Sequence, residues 1–167
     1  IARLSAQGRY QRADVNAQAS NAVIPGNMGL RIGRAIVTAS AILYDQPEIV
    51  ADAQVANLSM GDFVLARSRA RVNYRGGNGT AQLFAEGSSG VPFRVAANAR
   101  LRPDDYLVAL QGVANSIPFK TANPARIVSA PGGYRLYPTR IDFAQGSIRA
   151  AGVYGNGMSI QTRLDRL

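Results

Sequence analysis

The sequence predicts an all-β chain: an elongated, curved antiparallel sheet with an alanine-rich apolar interior face and at most one short helix. Three observations carry that expectation. Side-chain polarity alternates with period two along most of the 167 residues, as it does on a strand with one wet and one dry face. Short runs of Gly, Pro, Asn and Asp interrupt the alternation, as turns do between antiparallel strands. The dry positions are rich in alanine and the chain has no tryptophan, so the apolar face is long but thin.

The alternation starts at once, with Ala2, Leu4 and Ala6 opposing Arg3, Ser5 and Gln7. It resumes with Ala13, Val15, Ala17 and Ala19 against Asp14, Asn16 and Gln18. LRIGRAIVTASAILYDQP departs from it: Ile32, Ala35, Ile36, Ala39, Ile42 and Leu43 follow helical spacing up to Pro47, which would stop a helix. The β-branched content of the same stretch favours a strand, so residues 31–43 are open to both readings. GLRIGR at 29–34 lacks the full G-x-G-x-x-G spacing of a phosphate loop and reads as a turn.

VLARSRARVNYR is the clearest strand. Val64, Ala66, Ser68, Ala70, Val72 and Tyr74 take one face, and Leu65, Arg67, Arg69, Arg71, Asn73 and Arg75 the other. At about 3.3 Å per residue it would reach roughly 36 Å, longer than the usual strand. After the turn GGNG, Ala81, Leu83 and Ala85 oppose Gln82 and Glu86, with Phe84 out of place on the polar side. Phe93, Val95, Ala97, Ala99 and Leu101 then oppose Arg94, Asn98 and Arg100. RPDDY, with Asp104 and Asp105 placed as a type I turn favours, leads into Tyr106, Val108, Leu110 and Gly112. Ile127, Tyr134 with Leu136, Ile141 with Phe143, Ile148 with Ala150, and Ile160 with Thr162 and Leu164 mark further strands. Roughly a dozen strands in one chain of this length form an antiparallel meander.

One β-rich domain, residues 1–167, is expected. The chain starts at Ile1 without a leader segment and stops at Leu167 inside a patterned stretch, as a piece of a longer protein would. The absence of cysteine and histidine removes disulfides, thiolate nucleophiles, imidazole bases and the common zinc and haem ligand sets. No catalytic, metal or cofactor residue is therefore assigned, and no enzymatic activity is expected. Asp104 and Asp105 are explained by their turn.

The net charge is +9, from 19 basic against 10 acidic residues, with Lys120 the sole lysine. The arginine row at 67–75 reads as a solvated strand face, with lipid headgroups or acidic partners as the alternative. Nucleic acid is not expected, since no aromatic residue on that row could stack a base and no reading helix is evident. No apolar run approaches the roughly 20 residues of a membrane-spanning helix.

Because alanine buries little surface, a curved sheet of this composition leaves a trough wide enough for an acyl chain or a strand of another protein. Its candidate lining is Val64, Ala66, Ala70, Val72 and Tyr74, then Leu83, then Phe93, Val95, Ala97 and Ala99. Val108 and Leu110 follow, and Ile148, Ala150, Ile160 and Leu164 close the series. Two other architectures fit the same alternation. One is a β-sandwich or barrel domain binding an anionic ligand or surface. The other is a transmembrane barrel with alanines toward lipid, against which Tyr and Phe look scattered along the chain instead of gathered into girdles.

The closing segment, PARIVSAPGGYRLYPTRIDFAQGSIRAAGVYGNGMSIQTRLDRL, resembles the repeat grammar of the TamB family, from the translocation and assembly module, and of its AsmA-like relatives. The shared features are a strand ending in PARI, a GG turn, the strand YRLYPTRIDFAQG, then SIRAAGVYGNG, and an amphipathic strand finishing in LDRL. The resemblance is best over 49–167; residues 1–48 fit by texture. It implies a taco-shaped β-structure with a continuous hydrophobic groove, crossing the periplasm from an inner-membrane anchor toward an outer-membrane partner of the Omp85 type (TamA-like). It also implies phospholipid transport between the membranes of a Gram-negative envelope, or assembly and secretion of outer-membrane proteins. The cargo would be phospholipid acyl chains or unfolded outer-membrane protein strands. Exposed strand edges would also allow edge-to-edge self-association.

Overall fold

Strands of this chain find all their partners sideways. In the computed structural model, which describes residues 2–7, 10–24, 29–43, 46–155 and 157–165, with side chains from residue 11 onward, thirteen strands form one antiparallel sheet. They are β1 (Ala2–Gln7), β2 (Tyr10–Ile24), β3 (Leu30–Leu43), β4 (Glu48–Met60), β5 (Phe63–Arg75), β6 (Asn78–Ser89) and β7 (Val91–Arg102). β8 (Asp105–Ala114), β9 (Ile117–Thr121), β10 (Ala125–Ala130), β11 (Gly133–Phe143), β12 (Gly146–Gly155) and β13 (Met158–Asp165) complete the set. Neighbours in sequence are neighbours in the sheet, with β9 and β10 sharing one position between β8 and β11. Pro124, which lacks an N–H, lies in the gap between them. There the Ala122 N–H donates to the Arg140 carbonyl at 2.9 Å. The alternation expected over residues 2–7 concerns side chains outside the described residues; their backbone forms β1.

Residues 30–43 are a strand, paired to β2 on one side and β4 on the other. The helical spacing arises because Ile36 and Ile42 lie on the polar face, opposite Gln54 and Glu48, while Val37, Ala39 and Ala41 lie on the apolar one. No helix occurs among the described residues. GLRIGR is not a turn: all but its first residue lies inside β3. The GGNG turn is of type I′, with φ of 55° at Gly76 and 81° at Gly77. The RPDDY turn is not type I, because Asp104 has φ 58° after Pro103, as the third residue of a type II turn requires.

Among the described residues, strand pairs in substantial contact are all lateral neighbours and every strand belongs to the one sheet. Only Ala85 and Ser147 are buried among the described residues. The accessible surface is 11,784 Å², against about 8,000 Å² for a compact chain of this mass. A sandwich is therefore not formed, and a closed barrel is not formed either, since β1 and β13 each pair on one side only. The sheet is elongated and open.

A seam of extra residues crosses β2 to β5. Asn21, Gly33, Asn57 and Ala66 lie side by side, each skipped by the ladder that runs past it. Asn21 and Asn57 have φ of 50° and 53°, and between β5 and β6 the register shifts at Leu65/Arg67. Such bulges bend a strand, increase its twist and reverse the face of every residue beyond them. At Gly33 the strands approach so closely that a Cβ would lie 2.7 Å from the Asn57 Cβ. A second bulge lies between Leu136 and Thr139 and accommodates Pro138 inside β11.

The seam is testable at Asn57. In a regular strand Val is preferred to Gly; at a left-handed residue the order inverts, with non-glycine residues penalised by about 1–2 kcal/mol. Urea unfolding should show Asn57→Gly at least as stable as the parent and Asn57→Val less stable by about that amount. A more stable valine variant would mean that β4 runs straight through.

Candidate binding face

Directly opposed residues of an antiparallel ladder share a face, so the register can be followed sideways across the sheet. One row runs Ala17, Val37, Ala53, Ala70, Leu83, Ala97, Leu110 from β2 to β8. The next runs Val15, Ala39, Ala51, Val72, Ala81, Ala99, Val108 and ends on Ala125 of β10. Alternation on each strand therefore becomes a continuous floor of apolar side chains, most of them half-buried by their neighbours, with Val15, Ala17 and Leu83 exposed, and covered by no other element among the described residues.

Aromatic residues border this floor on both sides. Phe63, Phe93, Phe119 and Phe143 lie on the apolar face near one end of their strands. The Phe63 and Phe93 rings stack at 6.0 Å, and those of Phe119 and Phe143 meet at 5.9 Å. Tyr74, Tyr106, Tyr134 and Tyr154 lie on the same face near the other end. The Tyr106 and Tyr134 rings meet edge to face at 6.1 Å, and Tyr134 opposes Tyr154. From Phe93 to Leu101, which opposes Tyr106, the floor is about 26 Å wide at about 3.3 Å per residue. The lips lie low because rings cover glycines: a Cβ on Gly79 would fall 2.8 Å from Tyr74 Cδ2, and one on Gly112 2.7 Å from Phe119 Cζ.

Ala70, Val72, Tyr74, Leu83, Phe93, Val95, Ala97, Ala99, Val108 and Leu110 are together on this face, as the alternation predicts. Ile148 and Ala150 extend it to Leu164 and Thr162, and Ile160 opposes Gly152. Ile160 and Leu164 are 56% and 62% exposed because β13 is an edge. Val64 and Ala66 are not on it. The bulge turns Val64 to the polar side, opposite Ser88 and Ser59, and Ala66 lines a depression there with Glu86 and Arg94. Their places are taken by Phe63 and Leu65, opposite Met60 and Leu58. Asparagine at position 57, inside a strand pattern, is the sequence signal that marks the change. Among the described residues, the four Tyr and four Phe of this face, scattered in sequence, are sorted in space to opposite ends of the strands, while Phe84 and Tyr137 lie on the other face.

The opposite face is ionic. Asp52 Oδ2 accepts from Arg69 Nη2 and Arg71 Nε, both at 2.8 Å, and Asp52 Oδ1 accepts from Gln54 at 3.1 Å. Glu86 lies 2.5 Å from Arg67 and 3.3 Å from Arg94. Arg75 meets Glu48 at 2.7 Å, Arg126 meets Asp105 at 3.0 Å and Arg140 meets Asp142 at 2.6 Å. The arginine row of β5 is thus a ladder of cross-strand ion pairs. Phe84 belongs to it as well, with the Arg67 guanidinium 5.5 Å above its ring. Hydrogen bonds from Arg69, then Arg71 and Gln54, hold the Asp52 carboxyl far below the ordinary aspartate range. Glu86 is lowered, first by its hydrogen bond from Arg67, and Asp14 by that from Arg12. No cluster of three or more metal-ligating side chains occurs among the described residues. Comparisons with protein families, curated proteins and solved structures find no match to this chain.

Because the native pKa of Asp52 is depressed, its contribution to stability is present above the unfolded value near about 3.9 and is lost as pH falls through the native value. Carboxyl ¹³C NMR should find Asp52 still ionised at a pH where free aspartate is mostly protonated, and Asp52→Asn should flatten the acid limb of the stability profile. Titration of Asp52 near the free value would show that the arginine pairs do not form in solution.

Proposed function

We propose that this chain is a non-enzymatic segment of a TamB-type periplasmic bridge, and that its apolar face is the groove along which phospholipid acyl chains pass between inner and outer membranes. One observation carries the reading: a floor of small apolar residues runs sideways from β2 to β10, and no other element among the described residues covers it. A single-layer sheet in water leaves that area hydrated, and an acyl chain laid on it gains about 0.8 kcal/mol for each buried CH₂. Alanine suits the task, since it gives an apolar surface without filling the trough. Short side chains on one face and long arginines on the other also favour curling toward the alanines. In the full protein such a groove would open toward an outer-membrane partner of the Omp85 type (TamA-like).

Two other readings have observations in their favour. The unpaired outer edges of β1 and β13 suit an unfolded outer-membrane protein strand as cargo, by strand addition. The aromatic lips suit a transmembrane barrel, with the alanine floor in lipid between two girdles. That barrel requires β1 to pair with β13, and it would resist extraction of the isolated chain from membranes by alkaline carbonate, whereas a bridge segment would be released.

Ala97 tests the groove, because it lies mid-floor between Leu83 and Leu110. An aspartate there reaches water when the trough is empty but faces the acyl chain when it is full, at a cost of several kcal/mol. Ala97→Asp should melt close to the parent and lose photo-crosslinking of lipid from a probe at Val95. Loss of the fold would mean that the face is a closed core in solution. Unchanged crosslinking would mean that lipid does not lie on it.

A further inference from the structure

The two lips differ in chemistry, and from that difference we infer that the trough is polar across its width: a glycerophospholipid lies along the strand direction, with its phosphate-bearing head at the tyrosine lip and its chain ends at the phenylalanine lip. The inference rests on the groove reading above and adds an orientation to it. Tyrosine and phenylalanine offer nearly the same apolar area, but only the phenol donates and accepts hydrogen bonds, which suits it to an apolar–polar boundary.

Hairpin-closing pairs point the same way. At the phenylalanine lip five hairpins close on Ile24–Leu30, Met60–Phe63, Ser89–Val91, Ala114–Ile117 and Phe143–Gly146, none of them charged. At the tyrosine lip the closing pairs include Ile42–Glu48, Arg75–Asn78 and Arg102–Asp105. Among the described residues the turns add one aspartate to each lip, Asp62 and Asp104. Arg102 and Arg135, exposed at this end of the strands on the opposite face, where they oppose Asp105 and Val153, form no ion pair among the described residues. Their stems are long enough to bring a guanidinium to the rim, where it can take a phosphate in a bidentate contact. The floor width of about 26 Å at about 3.3 Å per residue exceeds the roughly 15 Å of one leaflet, half of a bilayer core of about 30 Å. One extended lipid therefore fits across without its tail leaving the alanine floor.

The test uses two phosphatidylethanolamine probes, one with a diazirine on the head amine and one with a diazirine at the methyl end of an acyl chain, each loaded onto the chain from vesicles and mapped by peptide mass spectrometry. The head probe should label residues around Tyr106 and Tyr134 about tenfold more than those around Phe93 and Phe119. A tenfold preference corresponds to about 1.4 kcal/mol, the scale of one hydrogen bond. The tail probe should show the reverse. Tyr106→Phe with Tyr134→Phe, which keeps both rings and removes only hydroxyls, should bring the head-probe ratio several-fold toward parity. Equal labelling of both lips by both probes, or head labelling at the phenylalanine lip, would overturn the orientation while leaving lipid carriage intact. No labelling by either probe would overturn lipid carriage and the orientation with it.

Discussion

The structure depends on a division between two kinds of bonding. Backbone hydrogen bonds run sideways from β1 to β13, and side chains that would ordinarily bury one face of such a sheet meet no second layer. Cohesion is therefore lateral, through ladders, cross-strand ion pairs and contacts between opposed residues. A chain of this size usually buries a core; here alanines replace the large residues that would build one. The apolar face is left as a surface, and its shape is set by backbone geometry: strand twist, the seam at Asn21, Gly33, Asn57 and Ala66, and the bulge before Thr139.

Much of this was legible in the sequence because period-two alternation is a local property. Val95, Ala97 and Ala99 announce their face without reference to any other strand, and GGNG announces its turn. What escaped is non-local. Val64 and Ala66 continue the alternation of Ala70 and Val72 in sequence, yet a bulge shared by four strands reverses their face, and nothing within β5 itself marks it. Residues 30–43 imitate a helix because β3 carries isoleucine on both faces, a choice intelligible only once its flanking strands are known. Sorting of Tyr and Phe is non-local in the same way. Chain reversal at every turn sends Phe63 and Phe93 to one rim and Tyr74 and Tyr106 to the other, an order that appears only after the strands are laid in register.

The ionic face gives the arginine excess a structural account. Asp52 takes two guanidiniums of β5, and Glu86 takes one from β5 and one from β7, so the acids act as rivets for a face that would otherwise carry rows of like charge. Exposed pairs of this kind contribute little individually. Their combined effect is to keep paired charge on the outer surface, while the opposite face carries none of these ion pairs. Among the described residues two aromatic rings lie on that outer surface, and each is met by a guanidinium: Phe84 by Arg67 and Tyr137 by Arg126.

The central claim is that the uncovered apolar face is occupied by lipid in the cell. Native mass spectrometry of the chain purified from envelope membranes, sprayed from a mild volatile buffer, measures this directly. Discrete mass increments matching whole phospholipids, lost when Ala97 carries a carboxylate, are the expected result. A spectrum containing only the bare chain, or a dimer with no lipid that closes the face against a second copy, would contradict the account.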